Sequence, residues 1–376
     1  MKSRSLWISA GEISGDMHGA LLLDALRKLE PDLRCTGMGG PHLRAAGLEA
    51  LFRTEDLSVM GITEVAGQLP RILRMLSGIA KTLEREKPDA LVVIDSPDFH
   101  FRVIKAARRC NIPVYYYISP KIWAWRRNRA RFIRDNVRRM LSILPFEKEF
   151  YRHFGMDVDY VGNPLMDLLH RLDLQGVARE PGLIGLLPGS RKKEVTALLR
   201  EFAGAARILR RRLPGVSFAC LRAPGIDADL LRNLWPEDLP VSFIEPDLRW
   251  GFMRRCEMLV AASGTAALES AVLGVPTIVV YKVSSLSYAL GRLLVRVPFI
   301  SLPNLILERA IFPELLQKQC DAAPLADAAL LWLLPRRGER PLEKVRRELE
   351  EIRRLLGGPG AADRAAAIIL RDLDQI

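Results

Sequence analysis

Two carboxylates stand three residues apart in "VVIDSPDFHF", directly after an apolar run that reads as a buried strand. A carboxylate at the C-terminal end of such a strand can take a proton as a general base. The pair could instead hold a metal, or Asp95 could cap the next helix. The preferred division is one base and one helper, with Asp98 as the base and Asp95 in a structural role.

Two loops of the second half carry small residues between a strand and a helix. In "LLPGSRKKEV" they are Gly189, Ser190 and Arg191. Helix N-termini attract anions, and an arginine there can grip two phosphate oxygens at once. "VAASGTAALES" repeats the pattern with Ser263, Gly264 and Thr265, and places Glu269 one turn inside the helix. Its N–H groups could hold a phosphate while Glu269 accepts from ribose hydroxyls. A surface turn or a helix cap is the competing explanation for each loop, but two anion-type loops in one domain favour a diphosphate. A third loop, "GEISGD", offers Gly11, Glu12, Ser14, Gly15 and Asp16. It matches neither GxxxxGK[ST], GxSxG nor GxGxxG. It is either a backbone-lined ligand loop or a capped strand–helix turn.

Metal chemistry finds little support. Asp157-x-Asp159 mimics a metal-binding acid pair, but such pairs recur by chance and no second shell accompanies it. Histidines 18, 42, 100, 153 and 170 lack ligand spacing and read as surface or packing residues. The five cysteines form no CxxC pair, as expected of a reduced, intracellular chain. No metal and no cofactor are expected. The N-terminus lacks the long apolar run of a signal peptide, and no segment reads as membrane-spanning.

The elements that must position these residues alternate. Strands "LWISAG", "ALVVIDSPDF", "IPVYYYIS" and "RMLSILP" are separated by helices, and the pattern restarts at "LIGLLPGSR". Near-continuous apolar strands alternating with helices imply parallel sheets covered on both faces. The chain of 376 residues thus reads as α/β, with two Rossmann-like doubly wound domains facing a cleft, plus C-terminal helices. The expected boundaries are 1–166, 167–340 and 341–376. Ligands of such sheets bind beyond the C-terminal strand ends, where all these loops fall.

The formal net charge is +12. It points to an anionic partner or to a solvated basic surface. "YYYISPKIWAWRRNRARFIR" interleaves aromatics with arginines, as nucleic-acid binders and lipid-facing surfaces do. Met60, Ile62, Leu69, Ile72 and Met75, bordered by Arg71 and Arg74, form either a membrane-facing stripe or a buried helix face.

Seven stretches in order, "SAGEISGDMHGA", "DSPDFHFR", "SPKIWAWRRNR", "VGNPL", "LPGSRKKEV", "ASGTAALE" and "PNLILERAIFPELLQ", resemble the lipid A disaccharide synthase family from about Ser9 to Gln317. The resemblance implies the GT-B architecture and an inverting glycosyltransferase. Its donor would be UDP-2,3-diacylglucosamine and its acceptor 2,3-diacylglucosamine 1-phosphate (lipid X). The products would be a β-1,6-linked tetraacyl disaccharide 1-phosphate and UDP. It implies a metal-independent, peripheral enzyme on the cytoplasmic side of a Gram-negative inner membrane. Asp98 would be the base and Arg191 would stabilise the leaving diphosphate. Gly189, Ser190, Ser263, Gly264, Thr265, Ala266, Glu269, Asn304 and Gln317 would bind the donor, and the "GEISGD" loop would serve the acceptor. A homodimer exchanging C-terminal helices is left open. Ile13, Ser96, His100 and Lys121 depart from the usual family residues, and Ile13 and His100 would lie beside the acceptor. The rival enzyme is a UDP-sugar 2-epimerase, which needs acids and a histidine around the sugar. The rival non-enzyme, a basic nucleic-acid binder, leaves the anion loops unexplained, so no nucleic-acid partner is expected.

Overall fold

The computed structural model describes residues 4–58, 65–295, 297–334 and 339–376. Met60 and Ile62 lie outside the described residues, as does the side chain of Leu69. The chain forms two compact units. One is Met1–Leu169 with Leu356–Ile376, and the other is His170–Leu355.

The first unit holds β1 (Ser5–Ala10), β2 (Arg34–Gly39), β3 (Glu49–Arg53), β4 (Ala90–Ile94), β5 (Val114–Tyr117), β6 (Arg139–Ser142) and β7 (Asp159–Tyr160). They form one parallel sheet in the order β3-β2-β1-β4-β5-β6-β7. The second unit holds β8 (Leu183–Leu187), β9 (Ser217–Leu221), β10 (Ser242–Ile244), β11 (Met258–Ala262), β12 (Thr277–Tyr281) and β13 (Glu314–Leu316). Their order is β10-β9-β8-β11-β12-β13, again parallel. In each sheet the order reverses between the first and fourth strands. That switch point opens a crevice at the strands' C-terminal ends. In the first unit it lies between β1 and β4, and in the second between β8 and β11. The carboxylate loop and both anion-type loops follow those strands.

The strands are buried because helices cover both faces. All of Ala90–Ile94 is fully buried, as are Tyr115, Tyr116 and Tyr117 of the next strand. The tyrosines of "YYYISPK" are therefore core residues. In the second unit the helix Lys192–Arg212 lays Val195, Leu198, Leu199, Phe202 and Leu209 on the sheet.

The last two helices do not form a segment of their own. Pro341–Leu356 buries Leu342, Val345, Leu349 and Ile352 and belongs to the second unit up to Leu355. Ala361–Leu373 belongs to the first unit and packs on the helix Ile13–Leu29. Its buried Ala365, Ala366 and Ile369 join the first unit's core. Asp372 fastens it by accepting from Tyr115 Oη at 2.7 Å and from Arg139 Nε at 3.1 Å. Asp167 caps its N-terminus, accepting from the N–H groups of Gly360 and Ala361.

Candidate active site

The first crevice is built around a kinked turn after β4. Asp95 and Ser96 both sit at positive φ, 51° and 43°. A non-glycine residue there costs about 1–3 kcal/mol and persists only where neighbours hold it. Here they do. The Asp95 carbonyl accepts from Tyr116 Oη at 2.7 Å and from His100 Nδ1 at 2.8 Å. A carbonyl can only accept, so the His100 proton is on Nδ1. Nε2 must then accept from Ser9 Oγ, 3.0 Å away. Burial pushes His100 down to about 4, which keeps the ring neutral. His100 is fully buried and braces the turn instead of lying open beside an acceptor.

The turn presents one carboxyl suited to proton transfer. Burial, then the charge of Glu12, raise Asp95 to about 6, against the pull of Lys121. Asp98 is placed differently. It lies in the first turn of the helix Pro97–Arg109, its side chain is 70% exposed, and it forms ion pairs with Arg126 and Arg129. Its carboxylate oxygen is thus already engaged by two guanidiniums. The sequence pointed to Asp98 as the base; the carboxyl raised by its surroundings is that of Asp95, and Asp98 pairs with arginines of "WAWRRNR". Arg126 also stacks on Trp125, 3.9 Å from the ring centre. Arg126 and Arg129 are thus engaged within the protein.

The "GEISGD" loop is shorter than expected. The helix begins at Ile13, so Ser14, Gly15 and Asp16 stand in its first turns. Asp16 is 1% exposed and accepts from the N–H groups of Gly40, His42 and Leu43 at 2.7, 2.9 and 3.1 Å. It caps a neighbouring helix, Pro41–Ala45, and is not free for a ligand. The glycines serve packing. A Cβ at Gly11 would lie 2.6 Å from Ser96, one at Gly15 3.5 Å from Ile94, and one at Gly19 2.9 Å from both Ile94 and Leu43. Glu12 and Ser14 remain exposed at the crevice.

The second crevice is a cavity of about 210 Å³. Gly189, Ser190, Ser263, Gly264, Thr265 and Ala266 line it, and so do Arg222 and Arg249. The helix Thr265–Val272 starts there after Gly264, and no side chain caps it. Its N–H groups and positive dipole end face the cavity. The other helix start differs. Glu194 accepts from the backbone of Ser190 and Arg191, so those N–H donors already have a carboxylate. Gly189, at φ 104°, is obligatory because a Cβ would fall 2.2 Å from that carboxylate. Arg191 is exposed and follows the cavity-lining Ser190.

Residues 6–356 match the family model of lipid-A-disaccharide synthetase. The chain belongs to that family. A lipid-A-disaccharide synthase of Syntrophus aciditrophicus is 40% identical, with 98% of each chain covered. One of Myxococcus xanthus is 40% identical, with 96% of each covered. Among solved structures, a putative UDP-N-acetylglucosamine 2-epimerase from Listeria monocytogenes is similar with a TM-score of 0.68 at 15% identity, covering 100% of this chain and 98% of that one. The calicheamicin glycosyltransferase CalG4 has a TM-score of 0.64 at 15% identity, covering 100% and 99%. These structures speak for the GT-B fold alone, whereas family membership removes the epimerase reading. A lipid-A-disaccharide synthase is a glycosyltransferase of lipid A biosynthesis that condenses a UDP-sugar donor with a second acylated glucosamine.

Three residues that the resemblance assigns to the donor are not among those lining this cavity of the synthase family member. Asn304 is fully buried. Its amide donates to the Phe312 carbonyl and Glu314, and its oxygen accepts from the Ile311 and Phe312 N–H groups. Gln317 pairs both ends of its amide with the main chain of Val283 at 2.9 Å. Both are braces whose polar atoms are already used. Glu269 forms an ion pair with Arg249 and does not line the cavity. It reaches the site through that arginine, which burial holds below its usual value. Arg249 and Arg222 were not legible as site residues, since Arg222 follows a strand of unremarkable sequence and Arg249 opens a short helix after the turn Pro246–Leu248. Among the described residues no group of three His, Cys, Asp or Glu could hold a metal ion, and no helix is long and apolar enough to cross a membrane.

Proposed function

We propose that Asp95 is the base of the transfer. It takes the proton from the 6-hydroxyl of lipid X as that oxygen bonds to C1 of the donor glucosamine. The bond from C1 to the UDP oxygen breaks, its electron pair leaves with UDP, and the sugar carbon inverts. A carboxyl near 6 is ionised at neutral pH and still basic enough to accept. The observation that carries this reading is the half-buried Asp95 carboxyl, raised to about 6, at the switch point of the first sheet.

The second unit supports departure of the diphosphate. The uncapped N-terminus at Thr265 and the cavity arginines supply donors and positive charge where negative charge develops. Arg191 would add its side chain at the loop after β8. Protein groups then do the work of a metal, and none is required. The first half of the helix Val65–Glu86 would meet the membrane. Leu73 is 50% exposed there and Ile72 and Met75 are partly exposed, beside exposed Arg71 and Arg74. That is the pattern of an interfacial helix on an anionic cytoplasmic leaflet.

The test is an incubation with UDP-2,3-diacylglucosamine and lipid X in detergent, with EDTA, followed by mass spectrometry of disaccharide and UDP. Both products are expected in equal amounts. Activity restored only by added magnesium would overturn the metal-free reading. UDP without disaccharide would overturn the acceptor.

A further inference from the structure

At the other end of the helix Thr265–Val272, four arginines meet. Arg179 donates to the Gly274 carbonyl at 2.6 Å and Arg254 to the Leu273 carbonyl at 3.0 Å. Arg353 donates to the Val272 carbonyl, and Arg346 to the Glu257 carbonyl at 3.1 Å. A Cβ built at Gly274 would lie 3.4 Å from a terminal nitrogen of Arg353 and 3.5 Å from one of Arg179, so two forks converge on one point.

Capping explains part of this arrangement and not its charge. A helix C-terminus presents about half a negative charge. Four guanidiniums bring four positive ones. Among the described residues none of the four has a carboxylate in an ion pair. The nearby acids are otherwise placed: Glu257 accepts from the Gly182 N–H, Glu343 pairs with Arg340, and Glu350 is exposed. The Nε atoms of Arg179 and Arg346 are buried without a partner. Burial, then the neighbouring guanidiniums, hold Arg179 down at about 10. Burial comes first for Arg346 and Arg353 as well; at Arg346 the charges of Glu257 and Glu343 oppose it ahead of the added push from Arg254, and at Arg353 Arg254 adds to it while Glu350 opposes.

We propose that this cluster is a second anion site, separate from the nucleotide cavity, that takes a phosphate-class dianion. Converging forks match the oxygens of a phosphate ester or diphosphate, which accept two parallel bonds from each guanidinium. Two charges on one ligand offset more than half of the roughly three and a half that the helix end leaves over. The source is either a soluble phosphate or the headgroup of an anionic lipid.

The full chain is held in saturating UDP and titrated with inorganic pyrophosphate, beside the Arg179→Gln/Arg353→Gln variant. Losing the two converging forks should weaken this binding about 10- to 100-fold, with UDP affinity unchanged. A vesicle arm compares phosphatidylglycerol with phosphatidylcholine. Partition that falls with the variant identifies a headgroup, and partition that does not identifies a soluble ligand. A folded variant that binds pyrophosphate like the parent overturns the site. A second measurement needs no variant. In the parent chain, pyrophosphate should slow phenylglyoxal modification of Arg353 and Arg254 but not of Arg347, which is exposed on the same helix as Arg353. Equal rates at all three overturn the proposal even if the variant fails to fold.

Discussion

Replacing Asp95 by Asn should cut catalysis sharply and make the protein more stable at once. The carboxyl stands at about 6 against an ordinary 3.8. At 1.36 kcal/mol per pH unit, keeping it ionised in its buried turn costs about 3 kcal/mol. The sign follows from linkage. Because the folded value is the higher one, the penalty is absent below 3.8, grows up to about 6, and is fully present at pH 7. Asn has nearly the same shape and no charge, so the variant escapes it. For a unit of this size, about 3 kcal/mol corresponds to roughly 6–12 °C in Tm at pH 7 as an upper bound, shrinking to nothing at pH 4. Losing a general base should lower kcat/KM by about 10²- to 10⁴-fold. In the parent, kcat/KM should fall about tenfold for each pH unit below 6. Asp98→Asn only releases Arg126 and Arg129 and should stay within about tenfold of the parent. UDP release with both acyl sugars, followed from pH 4.5 to 8, and calorimetry at pH 4 and 7 check these statements. An Asp95→Asn enzyme retaining more than a tenth of the parent rate would refute the reasoning, as would an equal loss in Asp98→Asn.

Arg249→Leu should strand the buried Glu269 carboxylate and lower stability by about 3–5 kcal/mol in denaturant unfolding, whereas the double change with Glu269→Leu recovers most of it. Asn304→Ala leaves buried N–H groups of Ile311 and Phe312 without an acceptor, so it should depress Tm while titration of UDP gives an unchanged Kd. Arg71→Gln with Arg74→Gln should reduce partition to anionic vesicles about 30-fold, at about 1 kcal/mol per charge, without altering UDP affinity. Arg71 is already shared with Asp56 at 2.5 Å, so a smaller loss from that arginine than from Arg74 is expected.

Strong apolar strands and their following loops were readable because a buried parallel strand leaves a run such as "ALVVI" that little else produces. β2 was not, because its sequence is "RCTGMG". Gly37 is there since a Cβ would fall 2.0 Å from the Ile8 carbonyl, a crowding visible only once β1 and β2 pair. The same limit governed the site. Asp95 and Asp98 look alike in sequence, and only the turn geometry half-buries one and gives the other to two arginines. Asn304 and Gln317 carry polar amides in a motif of the family, yet their partners are main-chain groups and, for Asn304, the Glu314 carboxylate as well, which no spacing reveals. Asp16 and the glycines around it looked like a ligand loop because capping and close packing use the same small and acidic residues as anion binding.

The helix Ala361–Leu373 completes the unit that begins the chain. During synthesis the second unit is continuous, from His170 to Leu355, and can close as it leaves the ribosome. The first unit must wait for the last residues, with the face of Ile13–Leu29 that receives Ala365 and Ile369 uncovered until then. At about 5–20 residues per second, the roughly 200 residues after Leu169 impose a delay on the order of 10–40 s. The order of maturation is thus inverted relative to the usual N-terminal-first sequence. A chain interrupted before Ala361 would carry a finished second unit and a first unit exposing an apolar helix face, a natural target for chaperones and proteases.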